Sequence, residues 1–130
     1  DLLALAARIE AAKEGSRELD LEIHKALGRC DPTAWVSTEN GAHLAYNEHH
    51  PEVSGGAQEY FEEPLPVYTG SLDAAISAIR EGCGWCLDVD DDGATVLVFR
   101  LADRENEGYG ATAATPPLAV VAASLKERAG

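Results

Sequence analysis

Apolar residues at Leu2, Leu5, Ile9 and Ala12 recur with the three- and four-residue steps of a single helix face. Gly15-Ser16 interrupts the pattern, Gly being suited to the end of one helix and Ser to the cap of the next. Leu19, Ile23 and Leu27 then resume the helical step, and Gly28 can close it. The segment reads as a helical hairpin, with one bent helix as the alternative. Glu22 and Lys25 share a solvent face of the second helix, a pairing worth only tenths of a kcal/mol. Asp31-Pro32 ends the helical pattern. Trp35-Val36 and Leu44 to Tyr46 then flank Asn40-Gly41, the pair favoured in a two-residue hairpin turn. That turn would set Val36 opposite Ala45 and Trp35 opposite Tyr46.

Residues 47–66 (NEHHPEVSGGAQEYFEEPLP) have Gly, Pro and acids without periodicity. They read as a long acidic loop anchored by Tyr60 and Phe61. Ser71 caps a predicted helix with Leu72, Ala75, Ile76 and Ile79 on its apolar face, ending at Gly82. Asp73 falls in its first turn, where negative charge is favoured. Trp85, Leu87 and Val89 alternate with Cys86 and Asp88, which is strand periodicity, and Thr95 to Leu101 is a second β-branched strand. Residues 102–110 read as another acidic turn. Thr115-Pro116 opens a last helix, with Leu118, Val121, Ala122 and Leu125 buried. No charge precedes Lys126 in that helix, so it should be well covered. The pattern predicts one α+β domain over residues 1–130, an antiparallel sheet sandwiched by helices in an αβα arrangement.

Charge changes the picture most. The chain of 130 residues carries a net charge of −13. Residues 30–110 hold sixteen acids against three bases, and no Lys or Arg occurs from Cys30 to Ile79. Such a surface repels phosphate and anionic lipid and attracts basic protein surfaces, so neither nucleic acid nor a membrane is an expected partner. Solubility alone would also account for it. No apolar run approaches the roughly 18 residues of a membrane span, and the opening Asp1-Leu2-Leu3 has no secretory pattern. Three cysteines suit a reducing cytoplasm better than a disulfide framework.

Candidate chemistry is sparse. Asp88, Asp90 and Asp92 before Gly93 mimic the first half of a calcium loop, and they are the weak metal candidates. A calcium loop needs a Glu at its twelfth position, where this chain has Phe99, and helices on both sides, where this chain has strands. A hairpin with Asp92-Gly93 as its loop explains the run better, setting Val89 opposite Val96 and Leu87 opposite Val98. Cys83 and Cys86 have metal-ligand spacing but no second pair, and on a strand they would point to opposite faces. They read, with Cys30, as buried and inert. His49-His50, near Glu48 and Glu52, reads as a solvated loop. No hydrolase, nucleotide-binding or metalloprotease pattern is present, so neither catalysis nor a cofactor is expected.

Two stretches resemble a known family. Pro66-Val67-Tyr68-Thr69-Gly70-Ser71-Leu72-Asp73-Ala74-Ala75, with Glu81-Gly82 and Trp85, resembles the central pattern of the phage ABA sandwich domain. Ala113-Ala114-Thr115-Pro116-Pro117-Leu118-Ala119, running on to Ala122, Ala123 and Leu125, resembles that family's tail, and the opening LALAARIEAAKEGSRELD its first helices. The resemblance implies a sheet between helical layers, encoded by a phage or prophage, with no known activity. The expected role is a non-catalytic accessory protein acting through protein contacts in the host cytoplasm. An unidentified, basic protein is the partner this charge suits, and self-association is open. The acidic candidates for its contact surface are Glu62, Glu63, Asp91 and Asp92. The alternative is an acidic nucleic-acid mimic that inhibits a DNA-binding protein, and the third reading is a metal-dependent enzyme.

Overall fold

The computed structural model describes residues 1–30, 34–37, 43–49, 58–102 and 108–130. Its elements run α1 (Leu2–Ala11), α2 (Arg17–Ala26), β1 (Trp35–Ser37), β2 (His43–His49), β3 (Gln58–Pro64), α3 (Leu72–Ile76), β4 (Cys83–Asp90), β5 (Gly93–Arg100), β6 (Tyr109–Ala113) and α4 (Pro116–Ala129). This is an α+β fold. The strands form two antiparallel three-stranded sheets, ordered β1-β2-β3 and β4-β5-β6.

The helical hairpin forms where the local signals place it. Ser16 caps α2 by accepting a hydrogen bond from the Leu19 amide at 3.1 Å. Gly28 takes φ 71° after the helix. The Gly28 amide then reaches the Lys25 carbonyl and the Arg29 amide the His24 carbonyl, satisfying two otherwise orphaned acceptors. Gly15 allows the chain to pass Thr69, whose carbonyl would lie 2.5 Å from any Cβ there. Glu22 bonds Arg8 across the hairpin at 2.9 Å, not Lys25 along its own helix.

The core is built around α4. Every residue from Leu118 to Leu125 is buried, as suits a helix that is apolar all round. α4 lies across β5 and β6, touches β4 only marginally, and is covered on its other sides by α1 and α3. Ala94, Val96 and Val98 of β5 and Ala111 and Ala113 of β6 face these helices. The opposite sheet face leaves Cys86, Asp88, Thr95 and Thr112 exposed. A smaller cluster joins Ala34 and Leu65 with Leu21, Cys30 and Val36 between α2 and β1.

Four expectations are corrected. The region 47–66 is not one loop, because β2 runs on to His49 and β3 begins at Gln58. Tyr60 and Phe61 lie on β3 opposite Asn47 and Tyr46; Glu52 and His50 are outside the described residues. Trp35 pairs with Ala45 and Val36 with Leu44, one residue out of the expected register. Ser37 pairs with His43, so five residues separate the strands where two were expected; Asn40-Gly41 itself is outside the described residues. The third helix stops at Ile76, and the chain reaches Ile79 through tighter i→i+3 bonds. Finally, β6 (Tyr109–Ala113) is a strand that was not expected, and it takes in Tyr109 and Gly110, the last two residues of the acidic turn expected at 102–110; residues 103–107 are outside the described residues. The small residues of β6 lie pressed beneath α1 and α4.

Candidate interaction surface

The four aspartates at Asp88–Asp92 sit at the β4–β5 hairpin. The closing pair is Asp90 with Gly93, so the two-residue loop is Asp91-Asp92 and not Asp92-Gly93. Val89 therefore faces Ala94 and Leu87 faces Val96, two residues from the expected partners but on the same sheet face. The Asp90 carboxylate accepts the Asp92 amide at 2.8 Å, an aspartate turn that explains this residue without a metal. Gly93 adopts φ 141°, and a Cβ there would meet the Ala113 carbonyl at 2.4 Å. Among the described residues, no three or more His, Cys, Asp or Glu side chains gather as a metal site.

The proposed acidic residues fall into two places. Asp91 and Asp92 are exposed at this turn. Glu62 and Glu63 lie on β3, in the other sheet, opposite Ala45 and Leu44. The cysteines also divide. Cys83 packs against the core, and burial, with the nearby Glu127 carboxylate, pushes its thiol above the ordinary range. Cys86, three positions on, is exposed, correcting the expectation that all three are buried. Their opposite directions follow from strand alternation.

Buried charges were missed in the sequence, since nothing in local spacing announces a partner tens of residues away. Glu127 is 1% exposed. Arg80 Nε donates to its Oε1 at 2.7 Å, Arg80 Nη2 bonds its Oε2, and Arg100 Nε donates to Oε2 at 2.9 Å. The Arg80 hydrogen bonds lower the Glu127 pKa to about 2, burial opposes this, and Arg100 adds to it. A carboxylate so held is a structural anchor at neutral pH, not a proton shuttle. Asp20, also 1% exposed, accepts from the Thr69 amide at 2.8 Å and hydroxyl at 2.7 Å, and from Arg17 at 2.7 Å. Tyr68 places its hydroxyl 2.7 Å from His24 Nδ1 and accepts from Arg29 at 3.0 Å. Arg29 can only donate, so the Tyr68 hydroxyl accepts from it and shares a second hydrogen bond with His24 Nδ1. Tyr68 and Thr69, prominent in the central motif, are thus buried polar anchors.

The two edges of the β4-β5-β6 sheet differ. The Leu101 amide bonds the Gly82 carbonyl at 2.9 Å. That bond sets the phase of the ladder: even-numbered β4 residues turn their backbone groups to β5, odd-numbered ones turn them outward. The same alternation turns Gly110 and Thr112 of β6 outward. On β6 the Gly110 carbonyl accepts from Lys126 Nζ at 2.9 Å, and the Thr112 amide donates to Glu10 Oε2 at 3.3 Å. Lys126 and Glu10 are themselves paired at 2.8 Å. On β4 the Cys83 amide is taken by the Arg80 carbonyl, while the outward groups of Trp85, Leu87 and Val89 have no partner among the described residues. Trp85 is 36% and Val89 58% exposed, on the sheet face that α4 leaves uncovered beyond β5.

Charge near β4 is one-sided. Glu81, Asp88, Asp90, Asp91 and Asp92 are exposed, and no Lys or Arg occurs from Glu81 to Phe99. The two flanking bases, Arg80 and Arg100, are engaged by Glu127. No helix among the described residues is long and apolar enough to cross a membrane. No protein-family model matches the chain, and neither a curated protein nor a solved structure matches it.

Proposed function

We propose that the chain is a non-catalytic accessory protein of a phage or prophage that works by contacting a basic partner protein. One observation carries the contact reading: a partly apolar strand edge at β4, unpaired among the described residues, lies beside exposed acids in a stretch, Glu81 to Phe99, that has no Lys or Arg. Native sheets protect such edges with charges, bulges or covering elements, and one left bare is a surface for pairing. The phage context rests on the resemblance of Pro66–Ala75 and Ala113–Leu125 to the phage ABA sandwich domain. The buried roles of Tyr68, Thr69 and Glu127 fit motifs that build a scaffold without forming a reaction centre.

The nucleic-acid mimic ranks second. It needs acids from several loops on one face, and the Asp90–Asp92 turn is the one such cluster whose side chains are described. Affinity capture from host lysate at low and high salt tests the contact reading. Replacing Glu62, Glu63, Asp91 and Asp92 with their amides should weaken capture at low salt and leave the fold intact. Undiminished capture would remove the basic-partner reading. Competition by duplex DNA for the captured protein would move the mimic to first place.

A further inference from the structure

Resting on that contact reading, we propose that β4 binds its partner by strand addition: an extended basic and apolar segment of another protein pairs with the outer edge of β4. The backbone supplies the first argument. Trp85, Leu87 and Val89 present three amides and three carbonyls at alternate positions along one edge, the pattern an added strand satisfies. Five residues from Trp85 to Val89 span about 16 Å, enough for a short peptide and too little for a broad interface.

The side chains supply the second. Trp85, Leu87 and Val89 share the face turned to the helices, so apolar residues of the incoming segment would extend that face. Asp88 lies on the opposite face and is exposed, as is Asp90 at the strand end. Lysine or arginine at every second position of the segment would meet them, as cross-strand pairs of opposite charge do. The occupant is thus a segment alternating basic and apolar residues. A second copy of this chain fits less well. Pairing β4 with itself brings two chains of charge −13 together without a base between Glu81 and Phe99 to offset them.

The contrast with β6 supplies the third. The same sheet closes its other edge with the Glu10–Lys126 pair, bonded both to each other and to the outward backbone. Among the described residues, a side-chain cover for the outward backbone is therefore built on one edge and lacking on the other.

The test uses the full chain and a capped peptide of alternating lysine and valine, with a glutamate–valine peptide and a backbone N-methylated lysine–valine peptide as controls. Amide hydrogen exchange is followed residue by residue. The lysine–valine peptide should slow exchange at Trp85, Leu87 and Val89 by about tenfold or more, and leave Cys86 and Asp88, already in the β4–β5 ladder, unchanged. Neither control should protect the three amides. Val89→Pro removes an outward donor without breaking a ladder bond and should reduce binding about tenfold. Val89→Lys places a like charge on the edge and should do the same if the proline variant does not fold. Binding without protection of the three amides, or equal protection by the glutamate–valine peptide, overturns the proposal. So does no binding at millimolar peptide, or protection that rises with protein concentration alone, which would identify a second copy as the occupant. Should lysate capture depend on the acids while the three amides stay unprotected, the contact reading survives and strand addition falls.

Discussion

Along β6, the outward Gly110 carbonyl accepts from Lys126 and the outward Thr112 amide donates to Glu10; along β4, the outward groups of Trp85, Leu87 and Val89 have no partner among the described residues. Both edges belong to one three-stranded sheet. Neighbouring residues of α4 set their difference. Lys126 turns to β6 and closes its edge with Glu10. Glu127 turns inward and engages Arg80 and Arg100, the bases that flank β4 and β5. One side is thus sealed by a charge pair, and on the other both flanking arginines are tied to a single buried carboxylate. An edge becomes a binding surface when its backbone is unpaired and its surroundings select one sign of partner.

The largest effect should come from the residue that disarms the β4 side. Glu127→Gln should destabilise the fold by about 3 kcal/mol, read as a lower denaturation midpoint, because two arginines lose their shared buried anion. The Glu127 pKa is lowered in the fold to about 2 from an ordinary 4.5. Its contribution is therefore full above about pH 4.5 and is lost as pH falls toward 2. Acid titration of the wild type should show that slope, and Glu127→Gln should flatten it. Next in size, Gly93→Val should cost about 2 kcal/mol, since it combines positive φ with a Cβ pressed on the Ala113 carbonyl. This would loosen the turn from the end of β6.

Glu10→Ala tests the sealed edge directly. It should cost about 1 kcal/mol and speed hydrogen exchange at Thr112, without altering exchange at Val89. If Thr112 exchanges no faster, the charge pair does not guard that edge. Smaller still, Val89→Lys should change thermal stability by less than about 0.5 kcal/mol, because the side chain is largely exposed. A thiol reagent should label Cys86 in the native protein before Cys83, whose thiol is held up by burial. Faster labelling of Cys83 would contradict the packing of β4 on the core. The least effect is expected from calcium, which should leave the melting temperature unchanged with Asp90 bonded to the Asp92 amide.

The sequence by itself determined what depends on neighbours within a few residues. Ser16, Gly28 and Ser71 mark helix ends by capping chemistry, and Pro116 marks the start of α4 by its fixed φ. The alternation of Trp85, Leu87 and Val89 marks a strand face, and a tight aspartate turn marks the hairpin. The all-apolar run after Pro117 foretells a covered helix. Tertiary structure decided whatever requires a distant partner. The β1–β2 register, with Trp35 on Ala45, differs by one residue from the one that an Asn40-Gly41 turn implies. β3 is acidic, and β6 after Tyr109 is only Gly, Ala and Thr, so neither advertises a strand; pairing with β2 and β5 makes them strands. Glu127 looks like any charged residue near a helix end until Arg80 and Arg100 arrive from elements 47 and 27 positions away. The open edge of β4 is the clearest case. Its residues are visible in the sequence, but its exposure follows from α4 settling over β5 and β6 and touching β4 only marginally. Backbone hydrogen bonds between strands are non-local, so which ones remain unmade is decided only when the sheet is assembled.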